Sequence, residues 1–520
     1  MKSKKVSLFI NGIIALMFSQ VIVKVLGMIY SLYLTNKEGF GDNGNSIYIS
    51  SFQIYAIFLT ISSIGIPNAV SKLVAEDLSI GDVDGAKRIF RVSISIFAFI
   101  GFSCSVILYI FSDIIATKIL DLAIASDVLK ILAPSIFFVS ISSVIRGYFN
   151  GKQNTKISAT TLSFEQLVKT LLTIIIVETV SIKTNCNTEI MVKSAAIATS
   201  LATVFSFIYI FVKYIITEKR DNLEVKFGIS KFKKSSMEIF KEIIFIAIPL
   251  IIASFISVLA KNIDSVTIVR LLKNKIGEEL AREKYGILSS KVELLTNLPM
   301  SINGAISIAL VPEIAKLCKL NDKNELNKKI KFSFFITFFI CIPIMVGMFV
   351  YSDEIINLLF PNANKGGVLL KISSLSIIFT ALTQNMIGIL QGFGEMKIYL
   401  KAISISLIFK FILNLILIPI DEILEKGAVI STLIYNIIVF IIIFKRIRKI
   451  TNLKLDIFKD LIKLFIIITF SIIISENFVM TFINKLSILN NLKFVIEIII
   501  IAMIYFLINW FGYRKKIKFM

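Results

Sequence analysis

The sequence predicts an all-α integral membrane protein of about fourteen transmembrane helices, on three observations. Apolar stretches of about 20 residues, the length that carries a helix across ~30 Å of hydrocarbon, recur from end to end of the chain. The composition is that of a lipid-embedded protein, 56% hydrophobic and 18% charged with a mean hydropathy of +0.84. The basic residues stand in short segments between the apolar stretches, which is how a membrane protein is oriented. Dispersed in this way, a net charge of +22 suits anionic lipid headgroups rather than nucleic acid.

In chain order the expected spans are 8–33, 47–67, 89–112, 128–149, 157–180, 191–215, 239–262, 286–311, 332–351, 367–391, 398–419, 427–444, 458–476 and 491–512. Lys2, Lys4 and Lys5 precede the first, which is longer than a signal-peptide core and ends in no small-residue cleavage site. It is therefore expected to stay as a helix. Alternate connections, with the N-terminal tail, hold 37 Lys and Arg residues against 15 in the other set. This asymmetry places both termini in the cytoplasm. The basic connection 263–285 faces outward in that scheme, against the trend.

An internal repeat is visible when residues 144–177 are laid on 385–418 at a constant shift of 241. Gly147 then meets Gly388, Gly151 meets Gly392, Lys156 meets Lys397 and Lys169 meets Lys410. Ile66-Pro67 with Ser71-Lys72-Leu73 similarly resembles Val311-Pro312 with Ala315-Lys316-Leu317. A repeat of six helices returns the chain to the same side, so the halves are parallel repeats about an axis along the membrane normal. The expected organisation is an N-terminal six-helix lobe at 1–235 and a C-terminal one at 236–452, facing each other across a central cavity. Two additional helices follow at 453–520.

Charges within apolar helices are the most informative residues, because each costs about 3 kcal/mol or more unless it meets a partner or water. Lys24 lies in the first span. Lys261 and Asp264 share one face of the seventh, and Lys291 and Glu293 lie in the eighth. Lining a cavity, Lys24, Lys261 and Lys291 would attract a phosphate or diphosphate, with Asp264 and Glu293 balancing charge or holding a coupling ion. The alternative for the lysines is snorkelling to an interface or structural pairing. Glu165 and Lys169, four residues apart in the fifth span, read as a structural ion pair. Lys410, the repeat equivalent of Lys169, lacks the acid because Ser406 stands there, and Arg146 is grouped with these structural positions.

Other chemistry is poorly served. The chain has no histidine, the commonest general base and nitrogen ligand, and Cys104, Cys186, Cys318 and Cys341 show no metal-binding spacing. Gly39-x-Gly41-x-x-Gly44 matches a dinucleotide fingerprint by spacing alone and reads as a turn, since it follows a membrane helix. No phosphate-binding GxxxxGK[ST] loop occurs, so energy is expected from a gradient or the membrane potential. No cofactor or metal is expected beyond an unidentified coupling ion.

Lys24-Val25-Leu26-Gly27, Gly41-Asp42-Asn43-Gly44-Asn45-Ser46-Ile47-Tyr48, Ser63 to Leu73, and Arg146-Gly147-Tyr148-Phe149-Asn150-Gly151 carry a family resemblance. They resemble the stage V sporulation protein B and polysaccharide transporter family of the multidrug/oligosaccharidyl-lipid/polysaccharide exporter superfamily, to which MurJ-like lipid II flippases are also related. The resemblance implies two six-helix bundles around a V-shaped cavity, fourteen helices and alternating access. It also implies a polyprenyl-diphosphate-linked saccharide as cargo, a peptidoglycan precursor or polysaccharide repeat unit moved from inner to outer leaflet, in spore envelope formation. MurJ-like flippases carry a cation at the place of Lys24 and another one to two turns later, where this chain has Tyr30 and Ser31.

The expected protein is thus a monomeric transporter, not an enzyme, with a lipid-linked glycan, anionic lipids and cell-envelope synthesis enzymes as partners. A multidrug antiporter of the same superfamily would instead need acidic cavity residues for cationic compounds. A membrane-embedded glycosyltransferase or polymerase would need catalytic carboxylates outside the membrane, for which only Glu278, Glu279 and Glu283 in 263–285 stand ready.

Overall fold

The computed structural model describes residues 2–224, 235–320, 322–451, 457–478 and 490–518. The side chains of Lys2, Lys4 and Lys5, the connections 225–234 and 479–489 and the boundary at 452/453 lie outside the described residues. Among those described there are helices and turns but no strand. In order they are α1 (Lys2–Asn36), α2 (Gly41–Ser63), α3 (Ile66–Ser79), α4 (Val83–Ile114), α5 (Ala125–Gly151), α6 (Thr155–Lys183), α7 (Thr188–Glu224), α8 (Ser236–Ile276) and α9 (Glu278–Gly286). There follow α10 (Glu293–Lys319), α11 (Lys323–Val350), α12 (Ser352–Leu359), α13 (Gly367–Ser374), α14 (Ser376–Phe393), α15 (Met396–Leu417), α16 (Lys426–Thr451), α17 (Ile457–Phe478) and α18 (Asn490–Lys518). Single π-helical turns extend α4 at Ile115–Ile119 and precede α10 at Ile287–Val292.

Among the described residues nine helices are long and apolar enough to cross a membrane, or ten if α13 and α14, bent by 42°, form one span. The protein is therefore a multi-pass membrane protein. Its surface fits that solvent: α4 buries Ile89, Phe97 and Leu108 while Phe99, Phe102 and Ile110 are more than half exposed. A helix apolar on both faces is stable only where its outer face meets lipid. Of the charges picked out above, Lys24 lies on α1, Lys261 and Asp264 on α8, Lys291 in the π-helical turn before α10 and Glu293 on α10, while Arg146, Glu165, Lys169 and Lys410 lie on α5, α6 and α15, which count among the candidate spans.

The chain forms two compact units, 1–290 and 291–520. In the first, Ile66, Val70, Val74, Phe90, Phe97, Tyr148, Phe149, Ile210 and Ile243 join α3, α4, α5, α7 and α8 in one core. Because α8 and α9 pack on α2, they fall in this unit, although the sequence repeat begins its second copy with α8. In the second unit α10 packs on α14, α15 on α16, and α17 on α11 and α18.

The two repeat copies show the same local devices. Asp82 caps α4 by accepting from Gly85 N at 2.7 Å, and Asp322 caps α11 by accepting from Glu325 N at 3.0 Å. Their backbone angles are nearly identical, φ −84°, ψ 85° and φ −85°, ψ 83°. The paired glycines are contact points: a Cβ on Gly147 would lie 2.9 Å from Pro67 Cα, and one on Gly388 would lie 2.5 Å from Ser307 O. One turn on, Gly151 abuts Val74 and Gly392 abuts Ile314. These are small-xxx-small ridges that bring α5 against α3 and α14 against α10. The Gly39-x-Gly41 stretch makes the expected turn, with Gly39 between α1 and α2 and Gly41 at the start of α2, both at positive φ, and the element before it is a helix.

Candidate functional site

The charged residues singled out in the sequence fall into separate groups. Lys24 on α1 and Lys261 on α8 are both exposed, and their ammonium groups are close enough to repel each other. Asp264, one turn beyond Lys261, is 3% exposed. Its helix is tied to α2 by Asn262, whose amide donates to Gln53 O at 3.2 Å. Lys24, Lys261 and Asp264 belong to the first unit, whereas Lys291 and Glu293 begin the second.

Lys291 takes the structural course. Its side chain is fully buried, donates to Ala363 O and to Lys365 O at 3.2 Å, and lies 5.7 Å from the centre of the Phe360 ring. It fastens the π-helical turn before α10 to the segment between α12 and α13. Glu293 is half-buried at the first turn of α10.

Glu165 and Lys169 do not form the expected ion pair. Glu165 accepts from Ser206 Oγ at 2.9 Å and lies within electrostatic reach of half-buried Arg146, which donates to Ser143 Oγ at 2.8 Å. Lys169 turns the other way, to the rings of Tyr30, Phe52 and Tyr48 at 4.8, 5.1 and 5.8 Å. On one α6 turn, two competing sets of neighbours each offer a better partner than the weak i,i+4 pair. Lys410 is 3% exposed and lies 5.9 Å from the Tyr435 ring, so both repeat-related lysines meet tyrosine.

Two profile models and several known proteins match this chain. The polysaccharide biosynthesis protein model matches residues 9–318, more than half of the chain. The chain belongs to that family. It lies within the superfamily of the MurJ and sporulation protein B transporters, and a MatE model matches residues 249–416. Lipid II flippase MurJ of Bacillus subtilis (strain 168) is 24% identical over 82% of this chain and 80% of its own length. Stage V sporulation protein B of the same organism is 24% identical over 59% of this chain and 58% of its own. Among solved structures, the inward closed conformation of lipid II flippase MurJ superposes with a TM-score of 0.72 at 17% identity, covering 98% of this chain and all of that one. An inward-facing multidrug resistance MATE transporter follows at 0.66 and 14% identity, covering 84% of this chain and 98% of that one. At such identities these structures establish a shared fold.

For this member of the polysaccharide biosynthesis protein family, two groups escaped a search restricted to charge. One is the set of rings around Lys169. The other joins α10, α11 and α14: Thr337 Oγ1 donates to Asn303 Oδ1 at 2.9 Å, Asn303 Nδ2 donates to Gln384 Oε1 at 3.0 Å, and Asn385 donates to Thr337. Asn303, Thr337 and Asn385 are all fully buried. The readable signal was amide and hydroxyl side chains at helical spacing in apolar helices, where they join helices by hydrogen bonds.

Proposed function

We propose that this chain is a flippase, not an enzyme, that carries a polyprenyl-diphosphate-linked saccharide from the inner to the outer leaflet by alternating access. The observation that carries this reading is the Lys24–Lys261 pair. Two exposed ammonium groups within repulsive range, on helices of hydrocarbon length, are costly against lipid but suited to an aqueous cleft holding a dianion. A diphosphate supplies that charge, while the prenyl tail stays in the bilayer. The curated likeness to lipid II flippase MurJ over four fifths of its length favours the same cargo class.

In this proposal the chain crosses the membrane fourteen times, with two six-helix lobes around a V-shaped cavity, two further helices and both termini in the cytoplasm. The outward-facing 263–285 connection is more tolerable there because two of its cations are compensated. Lys273 pairs with Asp121 at 3.1 Å and Glu278 at 3.2 Å, and Arg282 lies 3.7 Å from Glu278. Asp264 and Glu293 would balance the cargo's charge or hold the coupling ion. Binding must weaken in the outward state, since equal affinity in both states shifts no equilibrium. We place the activity in spore envelope formation, following the name of the sporulation relative, with envelope synthesis enzymes supplying the cargo and the transporter working as a monomer.

A second reading, a multidrug antiporter, draws on the MatE match and the MATE fold. The test is translocation of a fluorescent polyprenyl-diphosphate glycan in proteoliposomes, with and without an imposed potential. Headgroup exposure on the far leaflet is expected for the wild type and should be lost in Lys24→Ala/Lys261→Ala. Undiminished transport by the double variant would sink the lysine mechanism. No glycan movement together with coupled efflux of a lipophilic cation would install the antiporter instead.

A further inference from the structure

Lys169 is held in a way that has a consequence for selectivity. Its Nζ lies over three rings from two other helices, Tyr30 on α1 and Tyr48 and Phe52 on α2, all within the ~6 Å over which a ring face attracts a cation. The rings form a continuous wall, with centroids 6.3 Å apart for Tyr30–Tyr48 and 6.1 Å for Tyr48–Phe52. The wall is built into the unit, since Tyr48 is 4% exposed and its hydroxyl bonds Thr199 at 2.8 Å. Among the described residues no carboxylate lies within ion-pair distance of Lys169, because Glu165 is turned to Ser206. Ring faces alone therefore form the seat of this ammonium. Aromatic boxes of this construction recognise free alkylammonium groups.

We propose that Lys169 is a tethered cation that occupies an aromatic box, and that by filling it the residue denies the first unit to organic cations. It is thus a specificity-determining residue whose action is exclusion. The ring faces, with Glu165 one turn away, favour positive charge. An empty box would accept a cationic solute, and the occupied one repels it while leaving the ammonium's N–H groups directed by no protein acceptor. The inference does not depend on the flippase cargo, because it concerns what the box refuses.

The experiment is binding of tetramethylammonium, with tert-butanol as the neutral isostere, to purified full-length wild type, Lys169→Ala, Lys169→Arg and Lys169→Ala/Tyr30→Leu/Phe52→Leu. Lys169→Ala is expected to gain saturable tetramethylammonium binding at least about tenfold tighter than wild type, with none for tert-butanol. Lys169→Arg should stay closed, and the triple variant should lose the gained binding. Propylammonium, the excised part of the lysine, should compete. If Lys169→Ala purifies only as aggregate, tetramethylammonium in the extraction buffer should restore a monodisperse protein and tert-butanol should not. Wild-type cation affinity in a folded Lys169→Ala, binding that survives loss of Tyr30 and Phe52, or aggregation that no cation relieves would each overturn the proposal.

Discussion

Gln153 and Gly394, 241 residues apart, occupy the same left-handed corner of two different helical hairpins, at φ 60° and φ 74°. Each donates its N–H to the carbonyl three residues back, Gln153 to Asn150 at 3.0 Å and Gly394 to Gln391 at 3.1 Å. The next N–H, of Asn154 and of Glu395, reaches back to Phe149 and Leu390, each at 2.9 Å. The repeat thus reproduces a turn down to its hydrogen bonds, with glycine in one copy and glutamine in the other.

A left-handed conformation costs a residue with a Cβ about 1–2 kcal/mol, which glycine avoids. Gly394→Gln should lower stability by about 1 kcal/mol. Gln153→Gly should change it by a few tenths of a kcal/mol at most, because relief of strain is offset by greater freedom of the unfolded chain. Thermal unfolding of the two variants in one detergent compares them directly, and equal losses would contradict this account.

The close-packed glycines predict an asymmetry between backbone and side-chain contacts. Gly388→Ala places a Cβ 2.5 Å from a backbone oxygen, and Gly286→Ala places one 1.9 Å from Asp42 O. Neither backbone can yield cheaply, so losses of about 1–3 kcal/mol are expected, with Gly286→Ala the worse. Gly304→Ala meets only the end of the Gln384 side chain at 2.9 Å and should cost less. The melting order of the three variants is the measurement.

Lys291 should behave as a structural residue. Lys291→Met keeps the length of the side chain but leaves the carbonyls of Ala363 and Lys365 without their donor. Loss of about 1–3 kcal/mol of stability is expected. In protein that remains folded, cargo affinity should stay within about twofold of wild type, a difference of ~0.4 kcal/mol. A selective loss of cargo binding at unchanged melting temperature would return Lys291 to the diphosphate site.

The connection between α14 and α15 carries a pH-dependent tie. Arg446 donates to Glu395 through Nε at 2.7 Å and Nη2 at 2.6 Å, and this bonding holds the Glu395 carboxyl below the usual carboxylate range. A carboxylate with a lowered folded-state value adds stability that is complete above its ordinary value and is lost as pH falls through the lowered one. Wild type should therefore melt above Glu395→Gln at neutral pH, and the gap should close on acidification below the carboxylate range. A gap independent of pH would mean that the pair acts by packing.

Helix content and the apolar spans were legible because hydrocarbon imposes one rule on every segment. A spanning stretch must be long, apolar and internally hydrogen-bonded, and that rule is written locally. The glycine matches were legible for a related reason, since only a residue without a Cβ permits such close contact. Where partners come from other helices, local spacing was a poor guide. The Glu165–Lys169 spacing suits an ion pair, yet Ser206 on α7 took the acid and three rings on α1 and α2 took the base. Lys24 and Lys291 look alike as lone lysines in apolar helices, but one is exposed near a second cation and the other is sealed on carbonyls.

Composition and periodicity, read alone, determined that this chain lives in a membrane and that it is helical, because burial in lipid leaves marks at every position. Tertiary structure alone decided which intramembrane charge is exposed, which is caged and which is tied down. A charged side chain on a long flexible stem is satisfied by whatever the fold brings within a few ångströms, and that neighbour lies tens or hundreds of residues away along the chain.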